Sequence, residues 1–351
     1  MFRPGGDPLG LHRVRSQRGL LPQAADALDN TLPPYSAEVW LDVETLNIDA
    51  ASFVQLESVA AAGGPAVADQ IAGIVAERGK MQNPQTGSGG MLLGRLRAVG
   101  PAYQGPLRDV AIGTQVATLV SLTLTPLHLD AILEVRPHAH QVQVRGHALL
   151  PSSSPIAVVP SDLPERLVLS VLDVCGAPAL VDRHAHRLPQ GGHLLVIGAG
   201  KAGLLSLAAA RRARPDLRLW VLDKFAAPCQ QVFDAGLCDG WAAADATDAL
   251  AVRDQVAGWT AGQGADAVVN MASLPGTEMA TVLACRSRGL CLFFGMATSF
   301  ARVALGAEGV GADVDLLIGN GYAVGHAEFA LQLVREMTAV QAVLSARLGT
   351  S

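Results

Sequence analysis

The sequence predicts an α/β protein of two domains, a β-rich one followed by a doubly wound parallel sheet. The chain has 351 residues, about twice the length of a common single domain. Half of the residues are hydrophobic and 16% are charged, which suffices for packed cores and excludes a disordered chain. The pattern also changes near Asp162: short strands separated by Gly and Pro precede it, and strands alternating with helices follow it.

Charge and hydropathy exclude several classes of protein. The formal net charge is −5 and the sequence pI is about 6.0, whereas a nucleic-acid binder needs a clustered basic face. No uninterrupted apolar run approaches the ~18 residues of a membrane span, so we expect a soluble, cytoplasmic protein. The cysteines are odd in number, widely spaced and without a C-x-x-C pair, which favours a reducing compartment over a disulfide framework. They are Cys175, Cys229, Cys238, Cys285 and Cys291.

The predicted first domain covers residues 1–161 and contains short strands together with two helices. Alternating apolar and polar residues at 39–43 predict a half-buried strand. Helices are predicted over 49–62 and 65–78, and further strands over 91–99, 116–124, 141–145 and 156–159. Between them, the stretch 81–90 is too polar and too rich in glycine for a helix or a strand.

The predicted second domain covers residues 162–325 and alternates strands with helices. Continuous apolar strands of this kind indicate a parallel sheet with helices on both faces. Within a six-stranded sheet, strands are predicted at 193–197, 217–222, 265–270, 289–294 and 314–318. The helices between them are predicted at 202–213, 228–235, 248–259 and 277–286. Residues 326–351 are predicted to form a last helix that returns to the first domain.

The first strand of this second domain runs into a G-x-G-x-x-G motif (GAGKAG). A buried strand before the motif and a helix that opens within it are typical of a dinucleotide-binding Rossmann domain. Gly198 permits the tight turn, Gly200 lets the backbone approach a pyrophosphate, and Gly203 lets the helix pack closely on the strand. Lys201 and Ala202 open the helix, whose unpaired N–H groups favour phosphate. A glycine-rich turn without a dinucleotide is the alternative.

Residues at the ends of the parallel strands predict which cofactor binds. Asp223 lies twenty residues after the last glycine of the motif. Its carboxylate would accept hydrogen bonds from the adenosine ribose and repel a ribose phosphate, so NAD is favoured over NADP. Lys224 beside it weakens that repulsion. Asn270, Gly295 and Met296 follow parallel strands and are expected at the crevice that holds the cofactor rings.

A β-rich domain ahead of a dinucleotide-binding domain resembles the medium-chain dehydrogenase/reductase superfamily, which implies a GroES-like first domain. Members that bind zinc carry Cys and His ligands there, but this chain has no cysteine before Cys175. A Cys-ligated zinc site is therefore excluded in the first domain. Histidines are grouped within 138–147 and 184–193, yet no carboxylate completes a triad at helical spacing, so no metal site is predicted.

Five segments carry a closer resemblance. They are residues 6–13 (GDPLGLHR), 21–25 (LPQAA), 46–53 (LNIDAASF), 80–92 (KMQNPQTGSGGML) and 121–127 (SLTLTPL). They resemble the L-erythro-3,5-diaminohexanoate dehydrogenase family, on the zinc-free side of the superfamily, and NPQTGSGG is the most specific stretch. The resemblance implies NAD-dependent oxidative deamination of the diamino acid to 5-amino-3-oxohexanoate, a step of lysine fermentation. It also implies a homodimer joined through edge strands near residues 290–318.

Oxidation of an amine needs a base that takes a proton from the ammonium group, because the nitrogen lone pair must assist the loss of hydride. Of the three lysines, Lys80 is the best placed, since it opens the family-like stretch and burial would bring its pKa toward neutrality. A plain helix-end lysine is the alternative. Asp42 and Glu44 lie two apart, hence on one face of a strand. They are candidates to bind the two ammonium groups, with a solvated strand end as the alternative.

Asn83, Thr86 and Ser88 are candidates to bind the substrate carboxylate or to orient water, alongside ordinary turn formation. Two other functions stay open. A zinc-free reductase of the quinone or enoyl type would act on a carbon–carbon double bond, and a non-catalytic redox sensor would bind the dinucleotide without turnover. The reductase would prefer NADPH and need no acidic pair, so Asp223 and the two acids of the first strand argue against it.

Overall fold

The computed structural model describes residues 1–15, 19–119, 121–295 and 297–349. The chain divides into two compact units, Met1–Asp162 and Leu163–Ser351, so the division falls one residue after the predicted boundary. Each unit has its own sheet and its own buried core. Within the described ranges, no helix is long and apolar enough to cross a membrane.

The first unit is built around an antiparallel sheet. Its strands are β1 (Glu38–Asn47), β2 (Met91–Val99), β3 (Gln115–Thr118), β4 (Leu127–Arg136), β5 (Gln141–Pro151) and β6 (Ile156–Val158). Its helices are α1 (Ala50–Ala61) and α2 (Val67–Arg78), with 3-10 turns at Leu11–Arg13, Leu122–Leu124 and Pro137–Ala139.

Strand β1 lies inside this first sheet, whose order is β4-β5-β1-β2-β3-β6. Val39, Leu41 and Val43 are buried in the core and Asp42 is exposed, because successive residues of a strand point to opposite faces. The pairing of β1 with both neighbours shifts register after Val43, which makes Glu44 a bulge residue. The strand therefore supplies the core with one face and presents Asp42 and Glu44 on the other.

Two helix ends fix the glycine-rich loop, which we define as residues 80–90. Asp49 caps the start of α1, where its Oδ1 accepts from the N–H of Ser52 at 2.9 Å. Helix α2 ends at Gly79, whose φ is 64°. A side chain on Gly79 would collide with the carbonyl of Leu28, so both its conformation and its surroundings require glycine.

The second unit is built around a parallel sheet. Its strands are β7 (His193–Ile197), β8 (Arg218–Asp223), β9 (Gly240–Ala243), β10 (Ala265–Asn270), β11 (Cys285–Phe293) and β12 (Asp315–Ile318). Its helices are α3 (Glu165–Leu172), α4 (Gly176–Ala185), α5 (Lys201–Ala213), α6 (Ala226–Asp234), α7 (Ala249–Trp259), α8 (Glu278–Ala284), α9 (Phe300–Gly309), α10 (His326–Glu336) and α11 (Thr338–Leu348).

The predicted six-stranded parallel sheet is confirmed, with the order β12-β11-β10-β7-β8-β9. All six residues of β10 are buried, as expected for a central strand covered on both faces. The chain proceeds from β7 to β8 and β9 on one side, then crosses to β10 on the other. The strand order therefore reverses between β7 and β10, and the carboxyl ends of these strands flank the crevice where such sheets bind ligands.

Several elements differ from the sequence-based expectation. The strand expected over 116–124 ends at Thr118, and a 3-10 turn follows whose start is capped by the side chain of Ser121. Strands β4 and β9 and helices α3, α4 and α9 were not predicted. Both strands lie at sheet edges, and β9 has no buried residue. An edge strand lacks the fully buried face that makes an apolar pattern visible in the sequence.

The end of the chain forms two helices, α10 and α11, rather than the single helix predicted. They divide at Met337, whose φ of −111° and ψ of 89° are not helical. Both helices pack against α3 and α5, and they belong to the second unit. The prediction that this segment returns to the first domain is therefore corrected, because α10 buries Leu331, Leu333 and Val334 within the second unit.

Candidate active site

The G-x-G-x-x-G motif forms the turn between β7 and α5. Gly198 has a φ of 104°, which favours glycine, and a side chain on Gly203 would collide with the carbonyl oxygen of Gly198. Apart from Gly200 itself and its two chain neighbours, no described residue has an atom within 4 Å of the position where Gly200 would carry a Cβ. Helix α5 begins directly after Gly200, and the first N–H groups of a helix have no intrahelical acceptor. The turn therefore fits a phosphate group in shape and in charge.

Asp223 ends β8 beside this turn. Its Oδ2 accepts a hydrogen bond from the N–H of Ala199 at 2.8 Å, and its Oδ1 accepts from the N–H of Phe225 at 3.0 Å. A carboxylate has about four acceptor positions, so both oxygens keep capacity for a ribose diol. Lys224 forms an ion pair with Asp245, with 3.4 Å between Nζ and Oδ2. The carboxylate is thus fixed at the edge of the turn, where its spacing predicted it.

Lys201 and Ala202 occupy the first turn of α5, as predicted. The Nζ of Lys201 lies 2.8 Å from Oδ2 of Asp173, and both side chains are 41% exposed. Exposed ion pairs of this kind contribute at most about 1 kcal/mol. Lys201 can therefore leave Asp173 and bind another anion with little loss of free energy.

The residues predicted at the ends of β10 and β11 shape the loops there. Asn270 is fully buried, and its Nδ2 donates to the Oγ1 atoms of Thr277 and Thr281 at 3.0 and 2.8 Å. A side chain on Gly295 would collide with the carbonyl oxygen of Ala272, so the loops after the two strands approach closely. The amide of Asn270 therefore holds its own loop. Met296 lies outside the described residues.

In the first unit, three family-like segments meet although they are far apart in the sequence. The hydroxyl oxygens of Ser52 and Thr86 lie 2.6 Å apart, which joins the start of α1 to the glycine-rich loop. The N–H of Leu122 donates to the carbonyl of Gly90 at 2.8 Å, which adds the segment 121–127. We call this meeting point the polar junction.

Polar atoms of α1 complete the polar junction. Nδ2 of Asn83 donates to Oε1 of Gln55 at 2.7 Å, and Ser52 is fully buried. Oδ2 of Asp49 is buried and has no hydrogen-bond partner among the described residues. Asp49, Ser52 and Gln55 were not identified from the sequence as site residues. The available signal was the D-x-x-S pattern of a helix N-cap inside the family-like segment 46–53.

The three predicted polar residues of the glycine-rich loop also build the loop itself. Oδ1 of Asn83 accepts from the N–H of Gln85 at 2.9 Å, and the carbonyl of Ser88 accepts from the N–H of Asn83 at 2.8 Å. Oγ1 of Thr86 accepts from the N–H of Ser88 at 3.3 Å. Their turn-forming role is therefore present, and their contact with substrate stays a prediction.

Lys80 is fully buried at the start of the glycine-rich loop. Its Nζ donates to the carbonyl of Pro22 at 2.9 Å and to that of Gln23 at 3.3 Å, which ties the family-like segment 21–25 to the loop. Burial, followed by the neighbouring Arg78, lowers the pKa of Lys80 to about 8, against the opposing charge of Asp26. The lysine therefore anchors the loop, and its proton is easier to remove than that of an exposed lysine.

Asp42 and Glu44 lie elsewhere, on the exposed face of the first sheet. Oδ2 of Asp42 is 3.5 Å from Nη1 of Arg97, and Oε1 of Glu44 is 2.7 Å from Nε of Arg95. The two side chains are 51% and 40% exposed. Each carboxylate already has a cationic partner, so the structure favours the solvated strand end. Their binding of the substrate ammonium groups, with Lys80 as the base, stays a prediction.

Several histidines take part in hydrogen bonds and ring stacking. Across the described ranges, no group of three or more His, Cys, Asp or Glu side chains is arranged to hold a metal ion. His147 illustrates their role, because its Nε2 is hydrogen-bonded to the carbonyl oxygen of Asn30 at 2.9 Å. Its ring also stacks on that of His128, with 5.0 Å between centroids.

Comparison with known proteins identifies the family. The sequence profile of the L-erythro-3,5-diaminohexanoate dehydrogenase N-terminal domain matches residues 12–160. The chain is 41% identical to the L-erythro-3,5-diaminohexanoate dehydrogenase of Acetoanaerobium sticklandii, over 96% of this chain and 97% of the relative. The enzyme of the same name from Fusobacterium nucleatum is 40% identical, over 97% and 98% of the two chains.

Solved structures show the fold at much lower identity. An alcohol dehydrogenase from Thermotoga maritima superposes with a TM-score of 0.55 at 13% identity, over 90% of this chain and 85% of that one. A mycobacterial quinone oxidoreductase gives 0.52 at 18% identity, over 90% and 82%. The architecture is therefore that of the alcohol dehydrogenase type. With two relatives of one name matched at 40% and 41% identity over almost their whole length, the chain is an oxidoreductase that belongs to the L-erythro-3,5-diaminohexanoate dehydrogenase family.

Proposed function

We propose that this protein catalyses the NAD-dependent oxidative deamination of L-erythro-3,5-diaminohexanoate, a cytoplasmic step of lysine fermentation. The amine on C3 leaves as ammonia and the product is 5-amino-3-oxohexanoate, with one NAD reduced and one water consumed per turnover. The observation that carries the proposal is the 41% identity to the Acetoanaerobium sticklandii enzyme of that name across 96% of this chain. The open turn at Gly200 and the acid at the end of β8 support the choice of cofactor.

NAD would be held by the turn between β7 and α5. Gly200 and the N–H groups of Lys201 and Ala202 would meet the pyrophosphate, and Asp223 would accept hydrogen bonds from the adenosine ribose. The same carboxylate would repel a 2′-phosphate, which supports NAD over NADP. A bound NAD would supply the acceptor for the hydride that leaves the amine-bearing carbon of the substrate.

The substrate would be held at the polar junction. The ammonium group must lose a proton before hydride leaves, and water must lose a proton when it adds to the resulting iminium carbon. We assign Asp49 as the base that accepts these protons, since its buried Oδ2 has no hydrogen-bond partner in the described part of the chain. The paired hydroxyls of Ser52 and Thr86, 2.6 Å apart, can pass hydrogen bonds to the substrate amine or carboxylate.

Lys80 takes a different part in this proposal from the one that the sequence indicated. Its Nζ is occupied by the carbonyls of Pro22 and Gln23, so we assign it to positioning the glycine-rich loop. Its pKa of about 8 also allows Lys80 to exchange a proton near neutral pH. The turnover of a Lys80 variant distinguishes a role in positioning the loop from a role as the base.

A substrate panel tests the proposed function. The purified protein is mixed with NAD or NADP and a chelator, and NADH formation is followed with 3,5-diaminohexanoate, a simple β-amino acid and an α-amino acid. We expect turnover with NAD and the diamino acid, at least about 10-fold above the β-amino acid, because the second ammonium adds binding energy. Turnover confined to a quinone or an enoyl substrate would indicate the reductase. Cofactor binding without turnover on any member would indicate a redox sensor.

We also propose a homodimer joined at the edge of the second sheet. Strand β12 is an edge strand, and Leu316, Leu317 and Ile318 on it are all exposed, Ile318 at 63%. An edge strand with exposed apolar side chains is a template for pairing with a second copy. Light scattering after size exclusion should give twice the chain mass of 36.3 kDa, and a stable monomer would contradict the proposal.

A further inference from the structure

One side chain connects the last helix, α11, to the turn that carries the G-x-G-x-x-G motif. Arg347 lies in the final turn of α11, just before the helix ends at Gly349. Its Nη1 donates to the carbonyl oxygen of Ala199, the second residue of the motif, at 2.8 Å. Its Nε donates to Oε1 of Gln231 at 2.9 Å, and its Nη2 donates to the carbonyl oxygen of Pro228 at 3.2 Å. The guanidinium thus joins three segments of the second unit.

Both peptide groups of Ala199 are held as a result. Its N–H donates to Oδ2 of Asp223 and its carbonyl accepts from Arg347, each at 2.8 Å. Ala199 is fully buried, so its carbonyl would lose its partner without gaining good access to water if the arginine were removed. The arginine therefore stabilises the conformation in which the next residue, Gly200, presents its backbone.

The charge and shape of Arg347 suit this role. Burial lowers the pKa of Arg347 and the carboxylate of Asp223 opposes that effect, while a guanidinium stays protonated at physiological pH in any case. Hydrogen bonds from a charged donor are stronger than neutral ones. The planar fork reaches three acceptors, one in the turn and two in α6, whereas lysine has one nitrogen at the end of a flexible stem and cannot span them together.

We propose that Arg347 is a positioning residue for the dinucleotide: it fixes the turn through the carbonyl of Ala199 and raises cofactor affinity without touching the substrate. The inference rests on the proposed function in so far as a dinucleotide binds at this turn. It makes the C-terminal helix part of the cofactor site, although 148 positions separate the two residues in the sequence.

Titration with NADH, followed by fluorescence, tests the role of Arg347. In Arg347→Ala, NADH affinity should fall about 10-fold, the scale of one charged hydrogen bond. The KM for NAD should rise by the same factor, while kcat at saturating NAD and the KM for the amino acid stay unchanged. Arg347→Lys should stay within about threefold of the alanine variant because lysine cannot replace the fork.

Further variants separate this role from a general loss of stability. Gln231→Ala removes one of the three acceptors and should weaken NADH about threefold. Arg335→Ala is the matched control, because it removes an arginine of α10 whose Nη1 lies 3.0 Å from an exposed glutamate, Glu328; it should leave NADH affinity unchanged. Without cofactor, amide exchange in residues 198–203 should be about 10-fold faster in Arg347→Ala than in the parent.

Each outcome decides a separate question. NADH affinity within twofold of the parent in folded Arg347→Ala overturns the inference, and so does unchanged amide exchange. Two results together would indicate direct contact between Arg347 and phosphate: NADH affinity fully restored in Arg347→Lys, and a loss of NADH affinity in Arg347→Ala that shrinks as the salt concentration rises. They would overturn the positioning role. A parent that binds NADH but does not turn over the diamino acid overturns the proposed function and leaves the role of Arg347 standing.

Discussion

The two glycine-rich turns of the molecule are held in shape by different means. The turn at 198–203 is shaped by backbone, since its glycines allow an unusual φ at Gly198 and a close approach at Gly203. The glycine-rich loop is shaped by side chains, because Asn83 and Thr86 bond both to their own loop and to α1. One turn offers N–H groups and the other offers side-chain oxygens and amides.

This difference explains why one turn has a sequence pattern found in many protein families and the other does not. Backbone N–H groups are the same in every residue, so a turn that binds phosphate with them needs only small residues at fixed positions. A loop that is held in shape by side chains needs particular residues, so its sequence varies more between families. In both turns a cation makes a long-range tie to peptide carbonyls, Lys80 reaching out of the loop and Arg347 reaching into the turn.

The largest expected effect tests the backbone turn. Gly203→Ala places a methyl group against the carbonyl of Gly198, so we expect a loss of about 3 kcal/mol in the free energy of unfolding and loss of measurable NADH binding. Gly200→Ala is the matched variant, since its Cβ would meet no described atom within 4 Å. It should fold normally and still lose NADH affinity, as calorimetry can show. Normal NADH binding in Gly200→Ala would contradict the proposal that the pyrophosphate binds at this turn.

The next effect tests the side chains of the polar junction. Asp49→Asn keeps an oxygen to cap α1 and removes the charge, so folding should persist while kcat falls about 10²-fold, the scale of losing a general base. Steady-state kinetics with the diamino acid measure the change. The matched control is Asp42→Asn, an exposed acid of β1 paired with Arg97, whose kcat should equal that of the parent. A smaller loss of kcat in Asp49→Asn than in Asp42→Asn would support Asp42, and not Asp49, as the acid that takes part in catalysis.

A third effect tests the tie made by Lys80. Lys80→Met leaves two buried carbonyls without their donor, so the free energy of unfolding should fall by about 2 kcal/mol at pH 7. Between pH 8 and 10.5 the native protein binds fewer protons at Lys80 than the unfolded chain, since its pKa is lowered to about 8 from 10.5. Lys80 therefore makes the parent more stable as pH rises through this window, by at most about 1.4 kcal/mol per pH unit.

Denaturant titrations of both proteins across that pH range measure the contribution, and the variant should lack the rise. Equal pH dependence in parent and variant would contradict the lowered pKa. A loss of kcat in Lys80→Met by roughly 10²–10⁴-fold at full cofactor and substrate binding would instead support Lys80 as the base.

A fourth effect concerns the acid beside the backbone turn. Asp223→Asn keeps an oxygen for the N–H of Ala199 and removes the charge, so the preference for NAD over NADP should shrink about 10-fold. Asp223→Ser also loses the anchor of Ala199 and should weaken NAD itself. Calorimetry with both cofactors gives the ratio, and equal affinities in the parent would contradict the assignment of NAD.

The smallest effect is expected on the exposed face of the first sheet. Glu44→Gln breaks an ion pair between side chains that are 40% and 51% exposed, and exposed pairs contribute between about 0 and 1 kcal/mol. We expect the KM for the diamino acid to change by less than about twofold. A larger rise in KM would show that this glutamate binds an ammonium group after all.

Local sequence patterns predicted the parts of the fold in which burial repeats at short range. The parallel sheet follows from continuous apolar strands, and the turn at 198–203 follows from glycines at fixed spacing. Asp223 follows from its position at the end of the second strand of that sheet. Edge strands β4 and β9 were missed because few of their side chains are buried, so their patterns carry little signal.

Contacts between distant positions needed the tertiary structure. The sequence by itself determined the family-like loop, the spacing of Asp42 and Glu44, and the scarcity of lysine that drew attention to Lys80. Only packing decided that the two acids face solvent beside arginines and that Lys80 is buried against Pro22 and Gln23. Packing also places the backbone of Asp49 beside Gly90 of the loop. A pattern along the chain fixes backbone conformation and which face is buried, whereas the partner of each buried polar group depends on which segments pack together.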